Sequence, residues 1–535
     1  MYAFSSITFR RYLPRSQHLK PLAVFLRSQK TKAIRPEDES HTPGSAKSET
    51  ENISVRPFED IPGPRKSLKS FAEFFVKSER FTKAYKVYDL LFERYGPIFK
   101  ENMTFGIPAL HVIDPCDHEM VLRAEGKYPS RPIIDFWLEH RQRRNYFPGM
   151  VLLEGEEWHR VRYSVSPKIL RPKIVEENID NFNAVTKDAI TSLVKLKEAC
   201  GPDNHIPDLE GELSRWATES VGTVAFDARL GLYEDPPKEE AMRFIQGVRD
   251  FFSLSHELFF SLSRRIAKHF DIDTPKLKKF FKTGDILIEI GEGFIDKRMR
   301  ELKEMADRGI DPSGNTQVVS MLTYLLTKKE LTPEEVVGVV LDVVGAGVDT
   351  TANSLLWLMY NLGRNPHVQE KLYQEIENVV GKEEDVTSQS LAKLSYLKAC
   401  VKESLRLNPV LPSNARILDK DIVLQGYNVP AKTFVILENY CIARSEKYFQ
   451  DPLEFKPERW LRENKDESHP FSSVPFGFGS RMCLGRRLAE LEMYLFVCKL
   501  LQRFRLEYRH DPLEMYQKIV MVPDKPVKIN LIDRR

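Results

Sequence analysis

A cysteine that could bind a metal or act as a nucleophile stands near the C-terminus, between a glycine-rich loop and a predicted helix. The segment reads FGFGSRMCLGRR over residues 476–487, so Cys483 directly precedes the helical periodicity of 484–503. The free N–H groups and positive dipole end of a helix favour a thiolate, as does Arg481, two residues before the cysteine. We therefore predict that Cys483 is a metal ligand or a nucleophile.

Glycines flank this cysteine on both sides. Gly477 and Gly479 would let the backbone pass close beneath a flat group, and Gly485 removes a side chain that would collide on the first turn of the helix. A dinucleotide-binding loop is excluded, because G-x-G-x-x-G requires glycine at position 482, which is methionine, and no βαβ pattern surrounds the loop. The remaining alternative is a small buried cysteine, against which the flanking glycines and arginine argue.

A second candidate site lies inside the long apolar pattern of residues 336–362. The sequence AGVDTT over 346–351 places small residues beside an acid and an alcohol. The small residues would leave a groove for dioxygen, and Asp349 and Thr350 could relay protons to it. Two structural alternatives exist: Thr350 could hydrogen-bond to a carbonyl of its own helix, or the helix could span a membrane. The second is rejected because Asp342 and Asp349 would lie near the bilayer centre at high cost.

The loop around Cys483 resembles the proximal loop of the cytochrome P-450 haem-thiolate monooxygenases, F-x-x-G-x-R-x-C-x-G, which it matches at every fixed position. The resemblance implies haem b as cofactor, Cys483 as its axial iron ligand, and a cofactor-binding role for Phe476 and Gly477. An axial thiolate pushes electron density onto iron and favours O–O cleavage. The segment that contains Asp349 and Thr350 matches the family's oxygen-activation motif, which implies that both are catalytic.

A Glu–Arg pair resembles the family's E-x-x-R motif. Glu403 and Arg406 lie three residues apart and hence on neighbouring helical turns, and the later segment PERW over 457–460 resembles the family's P-E-R-F with tryptophan in place of phenylalanine. Taken alone, such a pair is usually a solvated surface pair worth a few tenths of a kcal/mol. The resemblance instead implies a buried structural triad of this pair with Arg459, which fixes the loop that presents the cysteine.

Several cationic side chains match positions that bind the haem propionates in this family. Trp158 and Arg162 at i and i+4 resemble its W-x-x-x-R helix, and an indole N–H and a guanidinium are suitable donors to a carboxylate. Arg416 and Arg481 match two further propionate-binding positions, and His159 is close enough in sequence to be considered. Each of these taken singly could equally be a surface ion pair.

Helical periodicity dominates the elements that must position these residues. Helices are predicted over 70–95, 155–170, 208–226, 285–308, 332–362, 366–379, 391–407 and 484–503. Short strands are predicted over 109–113, 422–424, 433–438 and 527–532. The resemblance covers residues 58–535 and implies one domain with the cytochrome P-450 fold, which is mainly α with small β-sheets.

The first 36 residues hold eight Lys or Arg and no acidic residue. This composition predicts a mitochondrial import presequence over 1–36, with a disordered basic tail as the alternative. The sign of the charge reverses over 37–57, which we interpret as a polar linker. The longest apolar run before this linker is far shorter than the roughly 20 residues that span a bilayer.

The composition excludes several classes of protein. With 42% hydrophobic and 29% charged residues the chain is an ordinary globular one. A net charge of +3 over 535 residues is too small for a nucleic-acid-binding protein. Six cysteines without a C-x-x-C pair suggest neither a disulfide framework nor a zinc knuckle.

Lys398 and Lys402 lie one turn apart on the predicted helix that also carries Glu403. They match the two lysines with which mitochondrial members of the family bind an adrenodoxin-type [2Fe–2S] ferredoxin, which receives its electrons from an NADPH reductase. A solvated helix face is the alternative. Together with the presequence, the pair implies a mitochondrial enzyme on the matrix side of the inner membrane.

The substrate class follows from the resemblance alone. It implies a lipophilic small molecule, either a sterol, steroid or secosteroid or a foreign compound, and no residue decides among them. The apolar stretch over 251–262 predicts either a peripheral membrane contact that collects such a substrate or ordinary core packing. A haem-thiolate protein that only binds a ligand, or that catalyses isomerisation or dehydration without oxygen, is the alternative function. The presence of both Asp349 and Thr350 favours a monooxygenase.

Overall fold

The computed structural model describes residues 55–64, 82–102, 108–171, 176–200, 205–259, 261–308, 321–326, 328, 330–464 and 468–534. The presequence predicted over 1–36 and almost all of the linker predicted over 37–57 lie outside the described residues. The first part of the helix predicted over 70–95 does so as well.

Helices make up most of the described structure, which confirms the mainly α fold. In chain order the α-helices are α1 (Ala84–Tyr95), α2 (Pro115–Arg123), α3 (Asp135–Arg144), α4 (Gly155–Ile169), α5 (Ile179–Ala199), α6 (Leu209–Phe226), α7 (Glu239–Phe259), α8 (Leu262–His269), α9 (Pro275–Asp307), α10 (Met321–Leu326), α11 (Pro333–Arg364), α12 (Pro366–Val379), α13 (Ser388–Lys393), α14 (Ser395–Leu407), α15 (Asn439–Ala443) and α16 (Arg486–Arg503).

The strands form small sheets, as the resemblance implied. They are β1 (Ile98–Asn102), β2 (Pro108–Val112), β3 (Asn414–Ile417), β4 (Ile422–Leu424), β5 (Tyr427–Val429), β6 (Phe434–Leu437), β7 (Phe504–Glu507), β8 (Met515–Gln517), β9 (Met521–Pro523) and β10 (Asn530–Asp533). The largest sheet has the order β1-β2-β6-β3, in which β2 and β6 are parallel and the other pairs are antiparallel. The pairs β4–β5, β7–β10 and β8–β9 are two-stranded and antiparallel.

A buried ionic group crosses the largest sheet. His111 on β2 lies 3.2 Å from Glu101 on β1 and 2.8 Å from Glu438, the residue after β6. Burial alone would lower the pKa of His111, but its hydrogen bonds with the two carboxylates raise it to about 9. The imidazolium therefore holds neighbouring strands together.

The long helix α11 begins with a capping box. The Thr332 side chain accepts the N–H of Glu335 at 3.3 Å, the Glu335 carboxylate accepts the N–H of Thr332 at 2.9 Å, and Pro333 occupies the first turn. Every residue from Thr351 to Gly363 is buried, and the helix packs along α6. A helix that is buried on all sides lies in the middle of a core. Among the described residues, no helix is long and apolar enough to cross a membrane.

Two predicted helices differ most in extent from those observed. The one predicted over 391–407 is interrupted at Leu394 and forms α13 and α14, because the Glu375 carboxylate accepts the N–H groups of Tyr396 (2.8 Å) and Leu397 (2.9 Å) and so caps a new helix. The one predicted over 285–308 begins ten residues earlier, as α9, since its first turns bury apolar side chains in a core of their own.

A small apolar core lies apart from the main one and joins α3, α7 and α9. Phe136, Leu258 and Phe280 are fully buried in it, together with Leu254, Leu277 and Phe281. Arg264 on α8 fastens α8 to α3 through two hydrogen bonds to the Asp135 carboxylate, of 3.0 and 3.1 Å. We call the six buried apolar side chains, without Arg264 and Asp135, the small core.

Candidate active site

The loop before α16 holds Cys483 by its backbone. The N–H of Cys483 donates to the carbonyl of Phe476 at 2.8 Å. Gly477 and Gly479 have φ of +68° and +80°, a region that glycine adopts without strain, and a Cβ on Gly479 would come within 2.5 Å of the Glu125 carboxylate. The loop thus requires glycine at two of the three predicted positions.

The third glycine has a different environment from the one predicted. A Cβ at Gly485 would meet no described atom within 4 Å, so the expected collision is not with the protein. Gly485 is instead the N-cap residue of α16, which begins two residues later than predicted. The backbone N–H groups of Gly485 and Arg486 are close enough to the sulfur of Cys483 to lower the pKa of its thiol.

The protonation of Cys483 depends on opposing effects. Its side chain is accessible to solvent, yet the surrounding protein raises the pKa of the thiol, while the two N–H groups and the charge of Arg162 lower it. Among the arginines, Arg162, and not the Arg481 named from the sequence, makes the largest contribution to this lowering. A metal at this position would complete the deprotonation, since thiol ligands bind metals as thiolates.

Four arginines from separate parts of the chain lie close to one another beside the cysteine. Burial, together with the charge of Arg131, lowers the pKa of Arg162 and of Arg481 to about 10. Arg416 adds to the effect on Arg481. Arg131, which sequence reasoning missed, also interacts with the thiol of Cys483. This group, called here the arginine cluster, comprises Arg131, Arg162, Arg416 and Arg481.

Two carboxylates accompany the arginine cluster. Glu125 pairs with Arg416, and Glu154 lies 3.0 Å from Arg481. Within the described residues, the other two arginines hydrogen-bond only to backbone carbonyls, Arg131 at 3.0 Å and Arg162 at 2.7 Å. The cluster therefore carries two positive charges more than its paired carboxylates.

Trp158 forms one wall of this cluster. It is 2% exposed on α4, one turn before Arg162, and the guanidinium of Arg481 lies 3.9 Å from its ring centroid. Nη1 of Arg481 is buried with no hydrogen-bond partner among the described residues, which is costly unless a ligand accepts from it. His159 instead contacts the rings of Tyr128 and Tyr163.

These observations test whether the chain can hold haem b. The group has two propionate carboxylates, which match the two unbalanced charges of the arginine cluster and would accept a bond from the free nitrogen of Arg481. Its iron takes a thiolate ligand, and the accessible Cys483 is beside the same arginines. The residues present fit the cofactor.

The predicted triad is present and buried. Glu403 and Arg406 have fully buried side chains, so the alternative of a solvated surface pair is wrong. Oε1 of Glu403 accepts from Arg406 (2.8 Å) and from Arg459 (3.0 Å). Arg406 also donates to the carbonyls of Ala443, of Pro452 at 2.8 Å and of Glu454. These hydrogen bonds of the triad attach α14 to the segment that precedes Arg459.

Asp349 and Thr350 lie on the less buried part of α11. The hydroxyl of Thr350 donates to the carbonyl of Ala346 at 2.7 Å, which is the structural alternative considered above, while Ala346 itself is exposed in the middle of the helix. Burial raises the pKa of Asp349 to about 6, and the Glu210 carboxylate adds to the rise. Asp349 therefore exchanges protons readily near neutral pH.

The two lysines differ in exposure. Lys402 is exposed, and its Nζ lies 3.8 Å from the ring centroid of Trp460. Lys398 is half-buried, its Nζ donates to the carbonyl of Ala392 at 3.2 Å, and burial lowers its pKa. Lys402 lies about a quarter-turn around α14 from the buried Glu403.

Comparison with known proteins gives extended similarities. A family model for cytochrome P450 matches residues 62–531. The mitochondrial sterol 26-hydroxylase of Rattus norvegicus is 32% identical over 513 residues, which cover 94% of this chain and 93% of that protein. Cytochrome P450 10 of Lymnaea stagnalis is 33% identical over 90% of this chain and 87% of its own length. The mitochondrial 1,25-dihydroxyvitamin D(3) 24-hydroxylase of Rattus norvegicus is 32% identical over 90% of this chain and 89% of its own.

Proposed function

The chain belongs to the cytochrome P450 family, and from this membership we propose that it hydroxylates a sterol or secosteroid in mitochondria with electrons from an adrenodoxin-type ferredoxin. It is a monooxygenase whose cofactor is haem b with an axial cysteine thiolate. The observation that carries the assignment to particular residues is the accessible Cys483 beside an arginine cluster with two unbalanced charges.

The chain's own residues bind the cofactor and move protons. Haem, when bound, supplies the iron at which dioxygen is activated. Cys483 supplies the thiolate, and the arginine cluster holds the propionates by charge-assisted hydrogen bonds. Asp349 would give its proton to the hydroxyl oxygen of Thr350. The hydroxyl proton, once its bond to the carbonyl of Ala346 breaks, would pass to dioxygen, and water would return a proton to Asp349. Its pKa of about 6 lets Asp349 both take and give that proton near neutral pH.

The substrate class is supported by the relatives. The sterol 26-hydroxylase and the vitamin D 24-hydroxylase named above are each similar to this chain over about nine tenths of its length. Reconstitution with a [2Fe–2S] ferredoxin, its reductase and NADPH tests the proposal, with sterols, secosteroids and foreign lipophilic compounds offered in parallel and products identified by mass spectrometry. Turnover of foreign compounds alone would contradict the proposed class. Conversion without oxygen uptake would support an isomerase or dehydratase instead.

The ferredoxin surface rests on the two lysines of α14. Lys402 is exposed and Lys398 is half-buried, so the former supplies most of the charge that an acidic partner would meet. Opposite charge speeds encounter and orients the partner, with an effect that weakens as salt screens it.

Reversing both charges with Lys398→Glu and Lys402→Glu should raise the ferredoxin concentration for half-maximal turnover about tenfold or more at low salt. The spectrum of the reduced carbon monoxide complex and substrate binding should stay nearly unchanged. Lys525→Glu with Lys528→Glu, an equal charge change at two other exposed lysines, is the matched control. A double variant at 398 and 402 that behaves like this control would place the docking site elsewhere.

A peripheral membrane contact is supported by an exposed apolar face on and beside α8. The stretch predicted for this role, 251–262, is divided: Leu254 and Leu258 are buried in the small core, whereas Phe259 and Leu262 are exposed. The exposed face continues from these two residues, with basic Arg265 and Lys268 at its edge. A basic amphipathic helix of this kind binds at a lipid surface. This apolar face comprises Phe259, Leu262, Ile266, Phe270 and Ile272, which are 40–66% exposed.

Replacing Leu262 and Ile266 with serine should weaken binding of the haem-loaded protein to phosphatidylcholine–cardiolipin vesicles by about 30-fold, because each of the two apolar side chains that enter the lipid contributes about 1 kcal/mol. Flotation with vesicles measures the bound fraction. Leu90→Ser with Leu453→Ser removes two leucines of similar exposure, 64% and 67%, outside this face. Equal losses in the two double variants would show that the apolar face has no special affinity for lipid.

A further inference from the structure

Trp460, the residue that departs from the family's P-E-R-F segment, makes a polar contact that phenylalanine cannot make. Its indole N–H donates to Oε2 of Glu403 at 2.9 Å. Oε2 has one other donor among the described residues, Nε of Arg406 at 2.8 Å. A phenylalanine at 460 would leave this oxygen of a fully buried carboxylate with that donor alone.

The same indole also contacts the exposed cation of α14. Nζ of Lys402 lies 3.8 Å from the ring centroid of Trp460, within the range of a cation–π interaction, which is strongest for tryptophan. Lys402 and Glu403 are consecutive residues that lie about a quarter-turn apart around the helix, one exposed and one buried. Trp460 therefore touches both, Glu403 with its polar edge and Lys402 with its face.

The position of the ring is fixed by its neighbours. It lies at the end of the short 3-10 helix Pro457–Trp460, which also carries Arg459, and its ring centroid is 6.3 Å from that of buried Phe449. Because the indole N–H is hydrogen-bonded to a buried carboxylate, the plane of the ring is held in one orientation. A long lysine side chain that rests on that face loses much of its rotamer freedom before any partner arrives.

We propose that Trp460 is a positioning residue for ferredoxin docking: the indole N–H anchors the ring to Glu403, and the ring face holds the ammonium of Lys402 where an acidic partner meets it. This inference rests on the proposed ferredoxin function. It assigns separate roles to the two parts of the indole. The ring contributes to docking, and the N–H stabilises the buried triad around Glu403.

Two replacements of Trp460 separate these roles. Trp460→Phe keeps a ring and removes the N–H, so the haem-loaded protein should lose its cofactor at a lower temperature while its Kd for the [2Fe–2S] ferredoxin changes less than about twofold. Trp460→Leu removes both, so it should also raise that Kd about two- to fivefold at low salt, the effect of losing an exposed cation–π contact. Calorimetric titration of haem-loaded protein gives the Kd. If Trp460→Leu fails to take up haem, Trp460→Met replaces it.

Lys402→Met supplies the matched comparison, since it removes the cation and leaves the bond between Trp460 and Glu403. It should raise the ferredoxin Kd without lowering the temperature of haem loss, and adding Trp460→Leu to it should raise the Kd no further. If Trp460→Leu leaves the Kd unchanged while Lys402→Met raises it, the positioning role of Trp460 is wrong, but the docking site at Lys402 is supported. An equal rise in Trp460→Phe and Trp460→Leu would overturn the role of the ring. If no variant at 402 or 460 changes the Kd, both the positioning role and the docking site at Lys402 are wrong.

Discussion

Cys483→Ser is expected to abolish the absorption at about 450 nm of the reduced carbon monoxide complex, a band that depends on an axial thiolate. A serine hydroxyl is not deprotonated at neutral pH, so iron at this position would lose its anionic sulfur ligand, and hydroxylation would stop. The difference spectrum of the reduced protein with and without carbon monoxide measures the change.

The loop itself should survive this substitution, because the contacts that shape it come from the backbone. The N–H of residue 483 still reaches the carbonyl of Phe476, and the positive φ at Gly477 and Gly479 is unaffected. Cys116→Ser, at another exposed cysteine, is the matched control and should keep the band. Persistence of the band in Cys483→Ser would refute the ligand assignment.

Thr350→Ala and Asp349→Asn should leave haem content unchanged but divert electrons from product to hydrogen peroxide. A positioned proton donor contributes about 100-fold or more to a proton-transfer step, so product formed per NADPH consumed should fall severalfold in each variant. Parallel assays of product, NADPH and peroxide give this ratio.

The control for these variants comes from the same helix. Ser354 also donates its hydroxyl to a carbonyl four residues back, that of Thr350, at 2.8 Å, so Ser354→Ala removes an equivalent bond without removing the proposed relay. Coupling should be retained in Ser354→Ala. If Thr350→Ala and Asp349→Asn are also as tightly coupled as the parent, then the bond from Thr350 to Ala346 is structural and the relay is wrong.

The parts of the site that could be predicted are those encoded in short segments. The loop around Cys483, the i,i+3 spacing of Glu403 and Arg406, and the capping box at Thr332 each depend on residues close in sequence, and the structure has all of them. The burial of the Glu403–Arg406 pair could not be derived from its spacing. It depends on carbonyls some 40 residues later in the chain, at Ala443 and Pro452.

The residues that sequence reasoning missed act at long range. Arg131 stands alone between Ser130 and Pro132, without a periodic pattern, and joins the arginine cluster only through the fold. The break at Leu394 depends on Glu375, which belongs to another helix. Helices α5 and α7 went unpredicted although both bury an apolar stripe, whereas the fold class was readable because the amphipathic pattern recurs along most of the chain.

The small core beneath α8 has a consequence for how this region opens. Phe136, Leu258 and Phe280 pack with one another rather than into the main core, so α3 and the adjoining ends of α7 and α9 can separate from the body of the protein without exposing its centre. Such a region loosens as one cooperative unit, and its amide protons exchange with solvent together, ahead of those of α11. We expect a bulky lipophilic molecule to enter past this block of helices, which the bidentate pair of Asp135 and Arg264 joins to α8.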